Sequence, residues 1–491
     1  MLTQTGYLSG PSAAMIRVLV GVFLALLLAT FYNRTPNYDD AWFAEQAYWL
    51  AHDGRVRSEL FRGVNGWEKQ LFIFHKGFIY FGTLVQWLFG FSLPAGKSVG
   101  AIWTALLGLM LWVYGRQVED GWALWLLLLL YVANGAVIEL AFVNRPEPMY
   151  TVLGFGSFCL LTTNRWPGAA ALAGLAVFTH LNGLCFVVAG VGWLLSSRQW
   201  WRAIGFGLVA GLVSSLYSLD VALSGQWATF WMQLTNEPAL AHISGVSDKL
   251  IIILNVYRQF FINRTTTAFT MLVLGTLLLN ARRLLTNQTH PARPSALYLL
   301  WLVIGFALVT RTHTPNYAFI FVPFCAVVVA RCIVSVYQCQ PVMSRQAAGF
   351  YGLLTLYLLA GAAKAVYTIR TNYTTPVLAE QNARMAALIG HPGANVLAPV
   401  SFFYNQMSRY HLQAVDAYLF YYQSITGKKL TNAVLFSLAE STNMAAVITY
   451  DGKGPTASLS DTRPLPDSLN HIGHYHCVYQ DRWNSLYLPD R

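Results

Sequence analysis

Met15-Ile-Arg-Val-Leu-Val-Gly-Val-Phe-Leu-Ala-Leu-Leu-Leu-Ala-Thr-Phe31 runs directly into Tyr32-Asn-Arg-Thr-Pro-Asn-Tyr-Asp-Asp-Ala-Trp-Phe43. The first stretch is apolar and longer than a typical signal-peptide core. No small-residue cleavage site precedes Tyr32, so it reads as a retained signal anchor with its N-terminus inside. The second stretch opens on two adjacent acids, Asp39 and Asp40. Carboxylates are scarce, with 21 Asp and Glu among 491 residues, so an acid pair beside a membrane exit calls for a reason.

Outward from this junction the chain stays apolar. A hydrophobic fraction of 55% with only 11% charged residues excludes a soluble globule, because apolar segments of this length belong in lipid. The net charge of +11 comes mostly from Lys and Arg in short connections, where they orient spans and meet anionic headgroups. No nucleic-acid partner is expected. Cys159, Cys185, Cys325 and Cys332 lie inside apolar runs without a Cys-x-x-Cys pair, so they read as small core residues.

Further candidate spans lie near 77–91, 97–115, 121–141, 147–163, 168–196, 203–223, 265–281, 295–310, 316–337 and 347–369. Arg198, Arg202, Arg282, Arg283, Arg293, Arg331 and Arg345 favour the cytoplasm, which puts loop 224–264 and the tail outside. Segment 77–91 is shorter than the ~20 residues a spanning helix needs. The reading adopted lets it dip into the outer face while 168–196 crosses twice around His180-Leu-Asn-Gly183. Arg116 and Arg165 then fall inside, and Glu147 and His180 share the side of Asp39.

The expected fold is mainly α: a polytopic helical bundle of about 11 spans with a small C-terminal α/β extracytoplasmic domain. Residues 1–370 form the membrane domain, with interfacial helices in loops 33–76 and 224–264 that roof an outward-facing cavity. In 371–491, short β-runs at 394–400, 445–450 and 476–479 alternate with helical stretches at 377–390 and 431–443.

Several polar groups fall at outer span ends. Asp39 and Asp40 suit helix capping and catalysis equally well by residue chemistry alone. His75-Lys76 opens the short segment; Lys76 is either a snorkelling anchor or a point charge for a phosphate, and a carboxylate with His75 could share a divalent ion. Arg145-Pro-Glu-Pro148 is either an ion pair ending a helix or part of a wet site. His180 and Arg311-Thr-His-Thr-Pro-Asn-Tyr317, which carries His313 and Tyr317, repeat the pattern. Each is weak alone; their gathering on one face is the signal.

Taken in order, Tyr38-Asp-Asp-Ala-Trp-Phe-Ala-Glu45, His75-Lys-Gly-Phe-Ile-Tyr80, Arg145-Pro-Glu-Pro148 and Pro315-Asn-Tyr-Ala-Phe-Ile-Phe-Val-Pro-Phe324 resemble the GT-C glycosyltransferases, over roughly residues 10–370. Within them the chain looks like the family 39-like branch of protein-mannosyltransferases and aminoarabinose transferases. The resemblance implies an integral, multi-pass inner-membrane enzyme of protein or cell-envelope glycosylation. It would move a sugar from a polyprenyl-phosphate donor to a lipid, glycan or protein acceptor on the outer face, where the C-terminal domain also lies.

Asp39 matches the first acid of the family's Asp-Glu pair, and Asp40 replaces the Glu. His75-Lys76 matches a segment that is often Glu-Lys-Pro or His-Pro-Pro, with Gly77 where Pro is common. Glu147 stands where a second outer-loop acid is expected. Asp39 would be the base, with Asp40 and Glu147 also in the catalytic set. Lys76, Arg145, His180, Arg258, Arg311, His313 and Tyr317 would bind substrate or its phosphate, with or without a divalent ion (Mg, Mn or Zn) on Asp40 and His75. A single base implies inversion; retention would need Glu147 as nucleophile. The competing reading is a transporter or flippase for a lipid-linked sugar or anionic solute. Such proteins usually hold ionisable groups near the midplane between repeated halves, and no repeat is visible here.

Overall fold

The computed structural model describes residues 13–34, 36, 38–118, 121–237, 245–339, 345–428, 430–450, 471–481 and 483–490. The chain is a polytopic bundle of membrane helices with a small β-sheet layer at its C-terminal end. Among the described residues, five helices are long and apolar enough to cross a membrane, at 93–117, 200–224, 264–286, 315–335 and 348–389. Shorter apolar helices pack among them. The first helix, Ala13–Ala29, turns Ile16, Phe23 and Leu27 inward and leaves Val18, Leu24 and Leu28 exposed, as expected for a helix with one face on lipid.

The helix Val322–Cys339 is the most enclosed of these, and its Phe324 meets Tyr298 face to face at 5.2 Å. Phe155 and Phe158 come edge-on to the same ring. Between membrane helices, where apolar burial gives no advantage over lipid, close backbone approach does the work. A Cβ on Gly192 would meet the Trp301 ring at 2.3 Å, and one on Gly305 would meet the Cys185 carbonyl at 2.8 Å.

The run 168–196 is two helices, Trp166–Thr179 and Leu184–Ser196, reversed through a 3-10 turn at Leu181–Gly183. The run 77–91 is a 14-residue helix, Lys76–Phe89. The run 121–141, expected to be one span, is interrupted. Asn134 turns its side chain back to accept the N–H of Ala136, ending Trp122–Val132 and starting Gly135–Leu140. Pro315–Phe321 is a 3-10 turn rather than the start of a regular span, consistent with the missing donor of Pro315.

Loops 33–76 and 224–264 do carry helices, Tyr38–Asp53, Trp227–Thr235 and Val246–Leu254. Gln233 fastens the two loops together: it accepts the N–H of Phe72 at 2.8 Å and donates to the carbonyl of Gln70 at 2.8 Å. Glu45, fully buried, collects the N–H groups of Glu59 and Leu60 and the hydroxyl of Ser58, which fixes the loop beyond the helix.

In the tail, β1 (Asn395–Ala398) lies parallel to β2 (His411–Ala414) and β3 (Ala446–Tyr450). β4 (His471–Ile472), β5 (Tyr475–Gln480) and β6 (Asn484–Pro489) add an antiparallel half, giving the order β2-β1-β3-β6-β5-β4. Alternation along the strands splits the sheet into two faces. Leu397, Val447 and Tyr487 pack on the helices Val415–Thr426 and Asn432–Ser441. Val396, Ala398, Ile448 and Leu486 join Ala41, Phe61, Trp67 and Phe78 in a separate core. Ala414 N–H also bonds to the Leu60 carbonyl at 2.9 Å, so the sheet is docked on loop 33–76.

A Cβ on Gly183 would lie 2.3 Å from the Ala176 carbonyl. Gly183→Ala should therefore destabilise the protein by about 1–3 kcal/mol, read as a lower thermal midpoint in detergent. An unchanged midpoint would mean that the reversal tolerates a wider separation.

Candidate active site

Four segments far apart in sequence meet at one end of the bundle. The helix Tyr38–Asp53 begins with both acids in its first turn, where the macrodipole favours negative charge. Asp40 is wholly buried, and its carboxylate accepts the N–H of Asn144. The amide of Asn144 donates to the Asp40 carbonyl at 3.2 Å, and the Tyr404 hydroxyl from the tail donates to the same carbonyl. Asp40 thus staples the loop after the first helix to Asn144 and to the C-terminal layer.

Asp39 forms an ion pair with Arg145, the residue next to Asn144. The same guanidinium grips Glu147 through two bonds, Nε to Oε2 at 3.0 Å and Nη2 to Oε1 at 2.7 Å. One cation is shared by two carboxylates. Exposure separates them: Asp39 retains 17% and Glu147 none. Of the two acids, only Asp39 can meet a reactant without the surroundings opening.

Behind this network His75 and His180 stack with ring centroids 4.3 Å apart and planes within 19°. Phe43 closes on His75 at 5.1 Å and Tyr150 on His180 at 5.1 Å. Burial pushes His75 down to about 4, against the pull of Glu147. Burial also drives His180 well below its usual value, helped by His75 and Arg145, and its Nδ1 accepts the N–H of Asn182 at 2.9 Å. Both rings are neutral at physiological pH. Gly77 makes the stack possible, because a Cβ there would lie 2.8 Å from the Thr179 hydroxyl.

Lys76 is 1% exposed and pairs with Asp220, with its ammonium over the rings of Phe74 at 4.7 Å and Tyr217 at 5.0 Å. Burial lowers its pKa, and Asp220 opposes that shift. Glu237 lies near Tyr217 and Tyr317; burial raises its pKa and the charge of Arg311 pulls it back. Tyr317 reaches His180 edge-on at 6.2 Å.

Two expected binding residues stand apart. His313 bonds through Nε2 to the Ile252 carbonyl at 3.1 Å, which ties the span end to the roof helix Val246–Leu254. Arg258 is exposed on the 3-10 turn Val256–Phe260. For the divalent ion placed on Asp40 and His75, Asp40 is engaged by Asn144 and His75 lies inside the ring stack. No group of three or more His, Cys, Asp and Glu gathers among the described residues, so this donor set does not form a protein cage for a metal.

No family model matches the sequence, and no curated protein does either. Solved structures do. ArnT from Cupriavidus metallidurans bound to undecaprenyl phosphate superposes with a TM-score of 0.60 at 12% identity, covering 97% of this chain and 98% of that one. The Archaeoglobus fulgidus oligosaccharyltransferase tethered to an acceptor peptide gives 0.54 at 11%, covering 89% and 69%. The chain shares the fold of these proteins. The oligosaccharyltransferase was also solved as a complex with Zn and sulfate, at a TM-score of 0.51.

Within this fold, sequence reading missed Asp220, Glu237, Asn144 and Tyr404. Asp220 carried a usable signal, since an ionisable group inside an apolar run is rarely without purpose. Tyr404 carried none, because its role depends on how the tail docks.

The depressed pKa of His75 has a definite sign. The native state resists protonation that the unfolded chain accepts, so stability is fully present above about 6.5 and is lost as pH falls toward about 4. His75→Gln, a neutral replacement, should lose less thermal stability than the parent between pH 6.5 and pH 4. Parallel melting curves across that range would remove the histidine from this role.

Proposed function

We propose that the protein is a membrane glycosyltransferase that moves a sugar from a polyprenyl-phosphate donor to a hydroxyl or phosphate acceptor, at the end of the bundle that carries Asp39. The observation that carries this reading is the Asp39–Arg145–Glu147 network beside a second set of cations in a GT-C fold. The fold family and the partly exposed acid support an enzyme rather than a carrier, because the ionisable groups cluster at span ends instead of the midplane.

Asp39 takes the acceptor proton while the acceptor oxygen attacks the anomeric carbon. The bond from that carbon to the phosphate oxygen breaks with its electron pair staying on the phosphate, and polyprenyl phosphate leaves. Arg145 orients Asp39 rather than binding the phosphate, since its donors are directed at two carboxylates. Lys76 and Arg311 supply positive charge for the departing phosphate. Glu147, buried and held through both oxygens, is poorly disposed to act as a nucleophile, which favours single displacement with inversion.

A groove of about 430 Å³ suits the polyprenyl chain. It is lined almost entirely by apolar side chains, among them Phe260, Phe269, Val273, Leu299 and Phe321, and four residues of the turn that carries Arg258 form part of its wall. The inner membrane is the proposed location, and the Lys and Arg bias of the connections supports an outward-facing active end.

The test is transfer of labelled sugar from defined polyprenyl-phosphate donors by the purified protein. Asp39→Asn should cut turnover roughly 10²- to 10⁴-fold. Lys76→Gln should also slow turnover strongly, with the product retaining inverted configuration at whatever rate remains. Undiminished transfer by Asp39→Asn would take the base role from it; translocation of intact donor without cleavage would replace the transferase reading with a flippase.

A further inference from the structure

A second cavity lies on the far side of Asp40, where the first membrane helix meets the tail. Its volume is about 540 Å³, within the roughly 300–1,000 Å³ typical of small-molecule sites. Leu28, Phe31 and Leu93 form the membrane side of its lining, and Leu28 and Phe31 are exposed at the C-terminal end of the first helix. That end of the cavity therefore stands where lipid chains meet headgroups.

The charge on its wall is unbalanced. Arg34 and Lys97 both line it and are both buried. Arg34 is held by the carbonyl of Ile138 at 3.0 Å, the carbonyl of Glu139 at 2.5 Å and the Thr30 hydroxyl at 3.3 Å, and Lys97 donates to the Arg34 carbonyl. The buried carboxylate that attracts both is Asp40. Glu139 also attracts Arg34, but its carboxylate is paired with Lys364. Among the described residues the lining of the cavity itself carries these two cations and no carboxylate, so its wall is positive. Carbonyl dipoles soften a buried charge without cancelling it, and the cavity beside it is where a counter-ion fits.

We propose that this cavity binds an anionic amphiphile, a phospholipid-type molecule whose phosphate faces Arg34 and Lys97 while its acyl chains leave past Leu28 and Phe31. The site is separate from the others: its lining shares no residue with the Asp39–Arg145–Glu147 network or with the Lys76–Asp220 pair. A lipid bound there bridges the first helix and the tail, since residues 375–385 and 399–405 close the opposite wall.

Binding to the full-length protein in detergent, followed by native mass spectrometry, tests this independently of any turnover. Phosphatidylglycerol should remain on the protein and phosphatidylcholine of the same chain length should not. Lys97→Gln should weaken retention by roughly tenfold or more, and Lys97→Arg should keep it. Ala379→Trp fills the cavity mouth from an exposed position without altering a charge, so it decides the matter if Lys97→Gln fails to fold. It should weaken retention as much. Equal retention of both lipids, phosphatidylglycerol binding undiminished in Ala379→Trp, or complete displacement by inorganic phosphate at equal concentration would each overturn the proposal.

Discussion

One guanidinium organises the end of the bundle that carries Asp39. Arg145 sits almost out of solvent between Asp39 and Glu147, and each of the three charges needs the others. A charge removed from water is tolerable when its partners fill its donor directions, and breaking such a network leaves an uncompensated ion in a low-dielectric setting. The network also has mechanical reach. Asp39 belongs to the helix Tyr38–Asp53, Arg145 to the turn before the helix Glu147–Thr162, and Glu147 to that helix. The ion pair therefore sets the distance between two segments that share no covalent neighbour.

The surroundings keep that distance fixed. On one side the stacked imidazoles press against Phe43 and Tyr150; on the other, Asp40 is clamped by Asn144 and by Tyr404 from the tail. The sheet reaches this position because its strands are apolar on both faces. One face takes its own helices, and the other takes the interfacial layer that carries the acids. The tail is thus a wall of the active end as well as an appendage, and Tyr404 touches the residue next to the proposed base.

Run length and charge bias were enough to read the membrane bundle and the reversal at His180, since 29 apolar residues exceed one span and fit two short ones. The acid pair was legible for the same reason, being anomalous in a chain so poor in carboxylates. The partners were not. Arg145 read either as the partner of Glu147 at a helix end or as a phosphate ligand, because a guanidinium suits phosphate and carboxylate equally, and only the folded geometry adds Asp39 to it. The break at Asn134 was hidden in an apolar run whose composition fits an uninterrupted helix. The short strands β2, β4 and β6 escaped notice because four to six residues, or two in β4, carry too little periodicity to stand out from a loop.

The charges at the active end are largely matched among themselves. Lys76 is paired with Asp220, Arg311 attracts Glu237, and Arg145 serves two acids. In the proposed reaction a donor phosphate must then compete with a resident carboxylate for its cation. Lys76 is 1% exposed while Asp220 is 29% exposed, so the carboxylate is the partner with freedom to move aside. Such an exchange is close to neutral for a donor phosphodiester, which carries one negative charge, as the displaced carboxylate does. It ceases to be neutral as the sugar–phosphate bond breaks and a second charge grows on the leaving phosphate. Two unit charges about 4 Å apart interact by about 4 kcal/mol at an effective dielectric of 20. In the proposed reaction the gain therefore falls mainly on the transition state, where it accelerates the chemistry instead of merely tightening the donor.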